Sequence, residues 1–327
     1  MRREAAVTPA DLDAMMPAIR EALQGYPYDK FYSYPARRGE AGRPGWVRHF
    51  VSRLEEIADD SQWRMFGNVT SAGPLLLAAR TARWDREHLG FPLSTISVLL
   101  APDEPDLRTR TNALLRECLS HLVEAGVKFA SARITGDHLD VAHAFEDAGF
   151  RYIETVVWPV ASTENTAHPA DARVRLLEDR DIELAANLAA RHSYPRTRFY
   201  SDGRFAKQQI GQMYAGWVKT AWHAGDPVLV VESDGIPAGV FTCRMDSQLS
   251  ADLGVMYGRM GILAVDAEQR GKGLGKALFH GCVCVLHKLG AQYVDSGYST
   301  KNHVSARLHA REGFDSKYEE TTFHLWL

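Results

Sequence analysis

The sequence predicts an α/β protein built as two tandem copies of one unit. Three observations carry this. Apolar strand-like runs alternate with amphipathic helical stretches along much of the chain. The stretches Gly126–Phe150 and Gly290–Phe314 read alike, each a glycine, a strand, a polar loop, a short helix and a closing Gly-Phe. A glycine-rich loop joins an apolar strand to a helix within Gly261–Leu278.

The elements follow in order. Helices Asn112–Ala125 and Lys276–Leu289 precede the two repeats, and strands Arg151–Val160 and Lys317–Trp326 follow them. A repeat of this length implies two copies of one fold. The stretch Ala161–Asp171 is polar, lacks an apolar period and reads as a linker. The expected division is residues 1–162 for the first copy, 163–172 for the linker and 173–327 for the second copy. A strand starts at Val174, and Asp179 suits the N-cap of the helix after it. Helices fall around Arg204–Ala224. The strands Val228–Glu232 and Ala238–Arg244 flank a hairpin turn over Ser233–Pro237.

The chain's 327 residues suit two domains of ordinary size, and 45% hydrophobic with 24% charged residues suits a globular protein. A formal net charge of -3 provides no global field for nucleic acid or anionic membrane, so neither is expected as a partner. No apolar run approaches the ~18 residues of a membrane span. The start, Met-Arg-Arg-Glu-Ala-Ala, does not resemble a signal peptide. Cys118, Cys243, Cys282 and Cys284 read as reduced packing residues. A cytoplasmic location is expected.

The glycine loop is the most informative segment. Its core is Arg270-x-x-Gly273-x-Gly275. Glycines leave backbone N–H groups uncovered at a helix N-terminus, where the dipole favours negative charge. Successive N–H groups form a concavity that fits a pyrophosphate. The spacing is neither that of a P-loop nor Gly-x-Gly-x-x-Gly. An ordinary strand-to-helix connection is the alternative.

This loop resembles the coenzyme A loop of the GCN5-related N-acetyltransferase (GNAT) superfamily, whose motif is Arg/Gln-x-x-Gly-x-Gly/Ala. The element order of the second half also matches that fold, a mixed sheet with helices on both faces. The resemblance covers most of residues 172–327. It implies acetyl-CoA as co-substrate, with Leu263 and Val265 meeting its pantetheine arm through their backbone. It also implies that Gln269, Arg270, Gly271, Lys272, Gly273, Leu274, Gly275 and Lys276 surround the pyrophosphate. Asn302 matches an asparagine that bonds the pantetheine, and it equally suits a helix N-cap. His309 stands where most relatives carry the tyrosine that protonates the departing thiolate. Histidine is able to donate a proton near neutral pH. His309 is therefore the candidate general acid, with a coenzyme contact or a surface histidine as alternatives. Tyr298, Tyr293 and Tyr257 are fallback donors. Asp295 is the candidate base, with Asp252, Glu232 and Asp246 as other carboxylates and water as a sufficient substitute. No metal-ligand spacing and no serine or cysteine nucleophile motif occurs.

The first copy lacks these features. Its equivalent of the loop, Leu100–Asn112, has no glycine, two prolines and three acids. Prolines remove donors and acids repel a pyrophosphate. Aligned on the Gly-Phe ends, Phe145 replaces His309, and phenylalanine transfers no proton. The first copy is expected to be a non-catalytic scaffold, with an independent binding module as the rival.

Trp84–Pro92 in the first half reads as a hairpin connection. Its wording, with Arg198–Asp202 and Met213–Val218, resembles acetyltransferases of nucleotide-linked amino sugars, the TDP-fucosamine group. Arg198 and Tyr200 are then candidate substrate contacts, since arginine suits a diphosphate. Asp202 reads as a helix cap over a packed Phe199. The expected activity is transfer of an acetyl group to a small-molecule primary amine. Acetylation of a small thiol precursor, as by mycothiol synthase, and non-enzymatic acyl-CoA binding are the alternatives. A homodimer is compatible with each.

Overall fold

A computed structural model of the chain describes residues 6–25, 42–81, 83–135, 138–164, 166, 169–315 and 318–327. It divides into two compact units: Met1–Thr155 with Tyr318–Leu327, and Val156–Lys317.

In chain order, α1 (Pro9–Gly25) and α2 (Gly42–Asp59) precede the hairpin β1 (Trp63–Thr70) and β2 (Gly73–Thr81). A short α3 (Arg83–Leu89) then leads to β3 (Leu93–Leu100), α4 (Leu107–Glu124), β4 (Phe129–Thr135), α5 (Leu139–Asp147) and β5 (Arg151–Val157). The Trp84–Pro92 phrase is thus largely helical, and the side chains of Trp84 and Asp85 lie outside the described residues. Next come β6 (Val160–Ser162), β7 (Val174–Leu176), α6 (Ile182–His192), α7 (Arg198–Ser201), α8 (Lys207–His223), β8 (Val228–Ser233) and β9 (Ile236–Met245). The chain continues through α9 (Ser247–Leu253), β10 (Tyr257–Val265), α10 (Leu274–Lys288), β11 (Tyr293–Asp295), β12 (Tyr298–Ser299), α11 (His303–Arg311) and β13 (Glu319–Trp326). No helix among the described residues is long and apolar enough to cross a membrane.

Local chemistry explains several boundaries. The turn between β8 and β9 is tighter than Ser233–Pro237: Asp234 and Gly235 take positive φ of 54° and 76°, as a two-residue hairpin loop requires. Asp246 caps α9 by accepting the Leu249 N–H at 3.0 Å. Asp179 does not cap α6. It opens a single 3-10 turn, and Glu178 and Asp181 form the capping box around it.

In the first unit the sheet runs β1-β2-β3-β4-β13-β5, with β3 and β4 parallel over Leu93–Ser97 and Phe129–Arg133. Under it lies a core that includes Leu77, Ile96, Leu115, Phe145, Phe150 and Phe323. In the second unit the order is β6-β11-β10-β9-β8-β7. Its core gathers Leu229, Phe241, Leu278, Phe279, Leu286, Val294 and Phe314. Both sheets are mixed, as the α/β reading of two similar units expects.

Two strands depart from the expected division. The C-terminal strand, read as closing the second copy, pairs antiparallel with β4, Phe323 opposite Ala132, and belongs to the first unit. Its Lys317 start lies outside the described residues. Conversely β6, read as the end of the first copy, pairs with β11, Val160 opposite Asp295, and belongs to the second unit. The physical reason is that an alternating apolar pattern fixes a strand's faces but not the sheet whose free edge it completes.

Phe323 is 2% exposed and stands 6.4 Å from the Phe145 ring. Phe323→Ala should cost about 3–5 kcal/mol. Hydrogen exchange is expected to show protection falling in β4 and α5 while β9 and β10 keep theirs. Loss confined to β9 and β10 would contradict the strand placement.

Candidate active site

The site is built where β10 loses a neighbour. β10 pairs with β11 only from Tyr257–Arg259, opposite Tyr293–Asp295, because β11 is three residues long. Beyond Arg259 that edge of β10 is unpaired. Its other edge stays on β9, with an irregularity between Met260 and Leu263. Gly261 makes the irregularity feasible: a Cβ there would lie 2.3 Å from Thr242 Oγ1. The Thr242 hydroxyl in turn accepts the Ile262 N–H at 3.0 Å. The Asp266 N–H donates to Ala238 O on the β9 side. Antiparallel alternation then turns the N–H groups of Val265 and Leu263 toward the open edge. Leu263 and Val265 thus sit on the strand's free side, with Phe241 and Gly239 opposite them on β9.

The glycine loop follows directly. Asp266 accepts the Glu268 N–H, and Ala267–Gln269 form one 3-10 turn. Arg270 is extended and exposed, and its guanidinium reaches His192 O at 3.5 Å. Gln269 Oε1 accepts from Ser233 Oγ at 3.0 Å and from Lys272 Nζ at 2.7 Å. Gly271 and Gly273 have φ of 84° and 77°, and a Cβ on either would meet nothing within 4 Å. Glycine is needed there for its backbone, and the space above is open. The first bond of α10 runs from Ala277 N–H to Gly273 O. The N–H groups of Leu274, Gly275 and Lys276 are therefore free of helix partners. Leu274 buries its side chain beneath the loop, and Lys276 is exposed. Uncapped donors at the positive end of a helix of this length suit an anionic diphosphate.

His309 is not a free acid. It is 2% exposed, and its ring lies 4.8 Å from Phe279, 5.0 Å from Phe314 and 4.7 Å from Tyr298. Burial pushes its pKa down to about 4, against a smaller upward pull from the Ser305 carbonyl. Nδ1 lies 2.8 Å from Ser305 O, so it carries the proton and donates it there. Nε2 is buried and bare of a hydrogen-bond partner among the described residues. A ring held this way carries a single proton at neutral pH, and that proton is engaged by Ser305 O. Tyr298, on β12 just past the point where β11 ends, is only half-buried. Asn302 caps α11, its Oδ1 accepting the Ser305 N–H at 3.1 Å. That bond leaves its amide N–H₂ available.

Asp295 sits at the vertex, 6% exposed, opposite Arg259 in the last β10–β11 pair. Arg259 Nε lies 2.8 Å from Asp246 Oδ2 and 4.0 Å from Asp295 Oδ2. Asp295 thus stands near a guanidinium whose tighter partner is Asp246. Glu232 is bonded to Arg175 at 2.7 Å and Asp252 to Gln248 at 3.1 Å, which engages both of these alternatives as well. Tyr257 is fully buried in the core.

On the helical side, Arg198 lies over the Phe199 ring at 4.6 Å, and Tyr200 stacks on Tyr214 at 6.0 Å. Burial raises the Tyr200 pKa. Asp202 caps no following helix. It ends α7 and accepts the Arg204 N–H at 3.2 Å. Sequence reasoning missed Thr242, Arg259, His192 and Tyr194. In sequence Gly261 is only the start of a strand, and the clash at its Cβ position is visible only in space.

The first unit offers a contrast. At the start of α4, Glu104 is ion-paired with Arg110, which also donates to Asn68 Oδ1, and both ion-paired side chains are largely buried. The Leu107 N–H is taken by Glu104 O. Phe145 is fully buried against Phe150 at 4.9 Å. The described residues contain no group of His, Cys, Asp and Glu able to hold a metal ion.

Comparison with known proteins places this geometry. Residues 184–314 match the Acetyltransferase (GNAT) family. No curated protein matches the chain. Among solved structures, a GCN5-related N-acetyltransferase from Sphaerobacter thermophilus aligns with TM-score 0.60 and 15% identity, over 100% of this chain and 96% of its own. A tandem GNAT protein from the clavulanic acid biosynthesis pathway aligns with TM-score 0.54 and 17% identity, over 98% and 97%. At these identities the structures speak for the fold: two GNAT-like domains in tandem. The enzyme class follows from the match of residues 184–314 to a family of acyltransferases.

Proposed function

We propose that the C-terminal unit transfers an acetyl group from acetyl-CoA to a primary amine, and that the amine is carried by a nucleotide-linked sugar. The observation that supports the reaction is the unpaired edge of β10 running into an uncapped helix N-terminus. The glycine loop from Gln269 to Lys276 would hold the diphosphate. The Leu263 and Val265 N–H groups would bond the pantetheine arm and polarise the thioester carbonyl, and the Asn302 amide would steady the arm. The amine nitrogen attacks the carbonyl carbon, the C–S bond breaks, and the thiolate takes a proton. Tyr298 is the donor this reading assigns, since His309 is neutral and enclosed. Water takes the amine proton. The N-terminal unit, with Glu104 and Arg110 where a coenzyme would sit, serves as a non-catalytic scaffold.

The acceptor follows from charge. The segment Arg191–Lys207 carries Arg191, Arg196, Arg198, Arg204 and Lys207 against one carboxylate, Asp202, which is tied to Arg204. A cationic segment beside the cleft favours an acceptor bearing phosphates.

Thiol release from acetyl-CoA, measured with nucleotide amino sugars, amino-cyclitol thiol precursors and peptides, tests this reading. Turnover is expected with the nucleotide amino sugars, and turnover with only uncharged or peptidic amines would sink the acceptor assignment. Tyr298→Phe should lower kcat roughly 10²-fold. Unchanged kcat would move the acid elsewhere.

The buried histidine gives a pH prediction. Folded His309 binds its proton near pH 4, whereas in the unfolded chain it does so near 6.5. Between those values the unfolded state binds more protons, so stability falls as pH is lowered. Above about 6.5 the penalty is absent, and below about 4 it reaches about 3 kcal/mol. His309→Phe, which installs the residue found at Phe145, should abolish this part of the acid sensitivity in denaturant titrations at pH 4.5 and 7.5. Equal pH dependence in both proteins would show that His309 is not held neutral.

A further inference from the structure

The two edges that part at the active site are bridged again by one short segment. β10 and β11 separate after Arg259 and Asp295. The 3-10 turn beyond β10 begins at Ala267, and the chain beyond β12 reaches Lys301 just before the Asn302 cap. His192, the last residue of α6, accepts the Ala267 N–H on Nδ1 at 3.3 Å, and its carbonyl accepts from Arg270. Its Nε2 stands 3.7 Å from Asp266 Oδ1. Two residues on, the Tyr194 hydroxyl donates to Lys301 O at 2.6 Å. The segment 192–194 therefore holds the diphosphate loop at one end and the entry of α11 at the other. It also leads straight into the cationic segment that ends at Lys207.

We infer that His192–Tyr194 is a clasp across the mouth of the cleft, and that His192 is a positioning residue for the coenzyme loop. The clasp fixes the distance between the two walls before ligand arrives, so the loop's donors face the diphosphate without reordering. Because Nδ1 accepts, the ring must carry its proton on Nε2, toward Asp266, and an acceptor at the Nδ1 position is what the loop requires. This inference rests on the coenzyme reading of the glycine loop.

Coenzyme A binding by titration calorimetry separates the two. His192→Ala should weaken binding roughly fivefold, the worth of one hydrogen bond. It should raise the KM for acetyl-CoA with kcat within about twofold. His192→Asn, whose Oδ1 takes the acceptor position, should restore binding. Tyr194→Phe should weaken binding by a similar factor, and the double variant should lose little more than either single one, because releasing one end slackens the whole clasp. Thermal melts check that each variant folds. If the wild-type protein binds and His192→Ala binds equally well, or if the two losses simply multiply, the clasp is overturned. If the wild-type protein takes up no coenzyme A, the acetyltransferase reading falls first and the clasp with it.

Discussion

The early end of the parallel pairing between β10 and β11 is the constraint on which the second unit depends. Backbone N–H and C=O groups inside a sheet must find partners. A strand flanked on one side only, at Leu263–Val265, keeps backbone donors on its other side without a sheet partner. The first unit shows the other outcome. There β3 and β4 pair over five residues, through Ser97 and Arg133, against three between β10 and β11. In β11 the pairing stops at Asp295, before Ser296 and Gly297. A Cβ on Gly297 would lie 2.9 Å from the Trp158 ring, so that position tolerates only glycine.

Electrostatics then distribute roles along the cleft. At the closed end, Arg259 holds Asp246 and Asp295, which ties the two strands where they must not part. At the open end, the N-terminus of α10 presents donors without a carboxylate among them. In the first unit the corresponding helix start is filled by Glu104 and Arg110, which satisfy each other. One fold thus carries an uncapped glycine-rich helix start in one copy and, in the other, a start with two prolines, three acids and an internal ion pair.

The sequence disclosed what is local and hid what is tertiary. The glycine loop was legible because its function depends on backbone conformation within a few residues, at Gly271 and Gly273. The Asn302 cap was legible for the same reason. The home of β13 was not, because a strand pattern is the same whichever sheet it joins. The arginine at the vertex and the contacts of His192 and Tyr194 were invisible, since their partners lie 36, 75 and 107 residues away in the chain. His309 was located by its spacing from Gly-Phe, but its chemistry is set by burial, which spacing does not report.

The repeat explains why a histidine occupies that position. In the first unit Phe145 meets Phe150 edge-on at 4.9 Å, and in the second His309 meets Phe314 edge-on at 5.0 Å. Both residues precede the closing Gly-Phe by the same interval and both are buried. The position is therefore an aromatic core site in either copy. A tyrosine there would place a hydroxyl at the cleft; a histidine closes the ring of aromatics and spends its proton on Ser305 O. What the position gains in packing it gives up in basicity. The Tyr298 ring lies tilted against the same ring at 4.7 Å, so burying His309 also sets the orientation of that tyrosine.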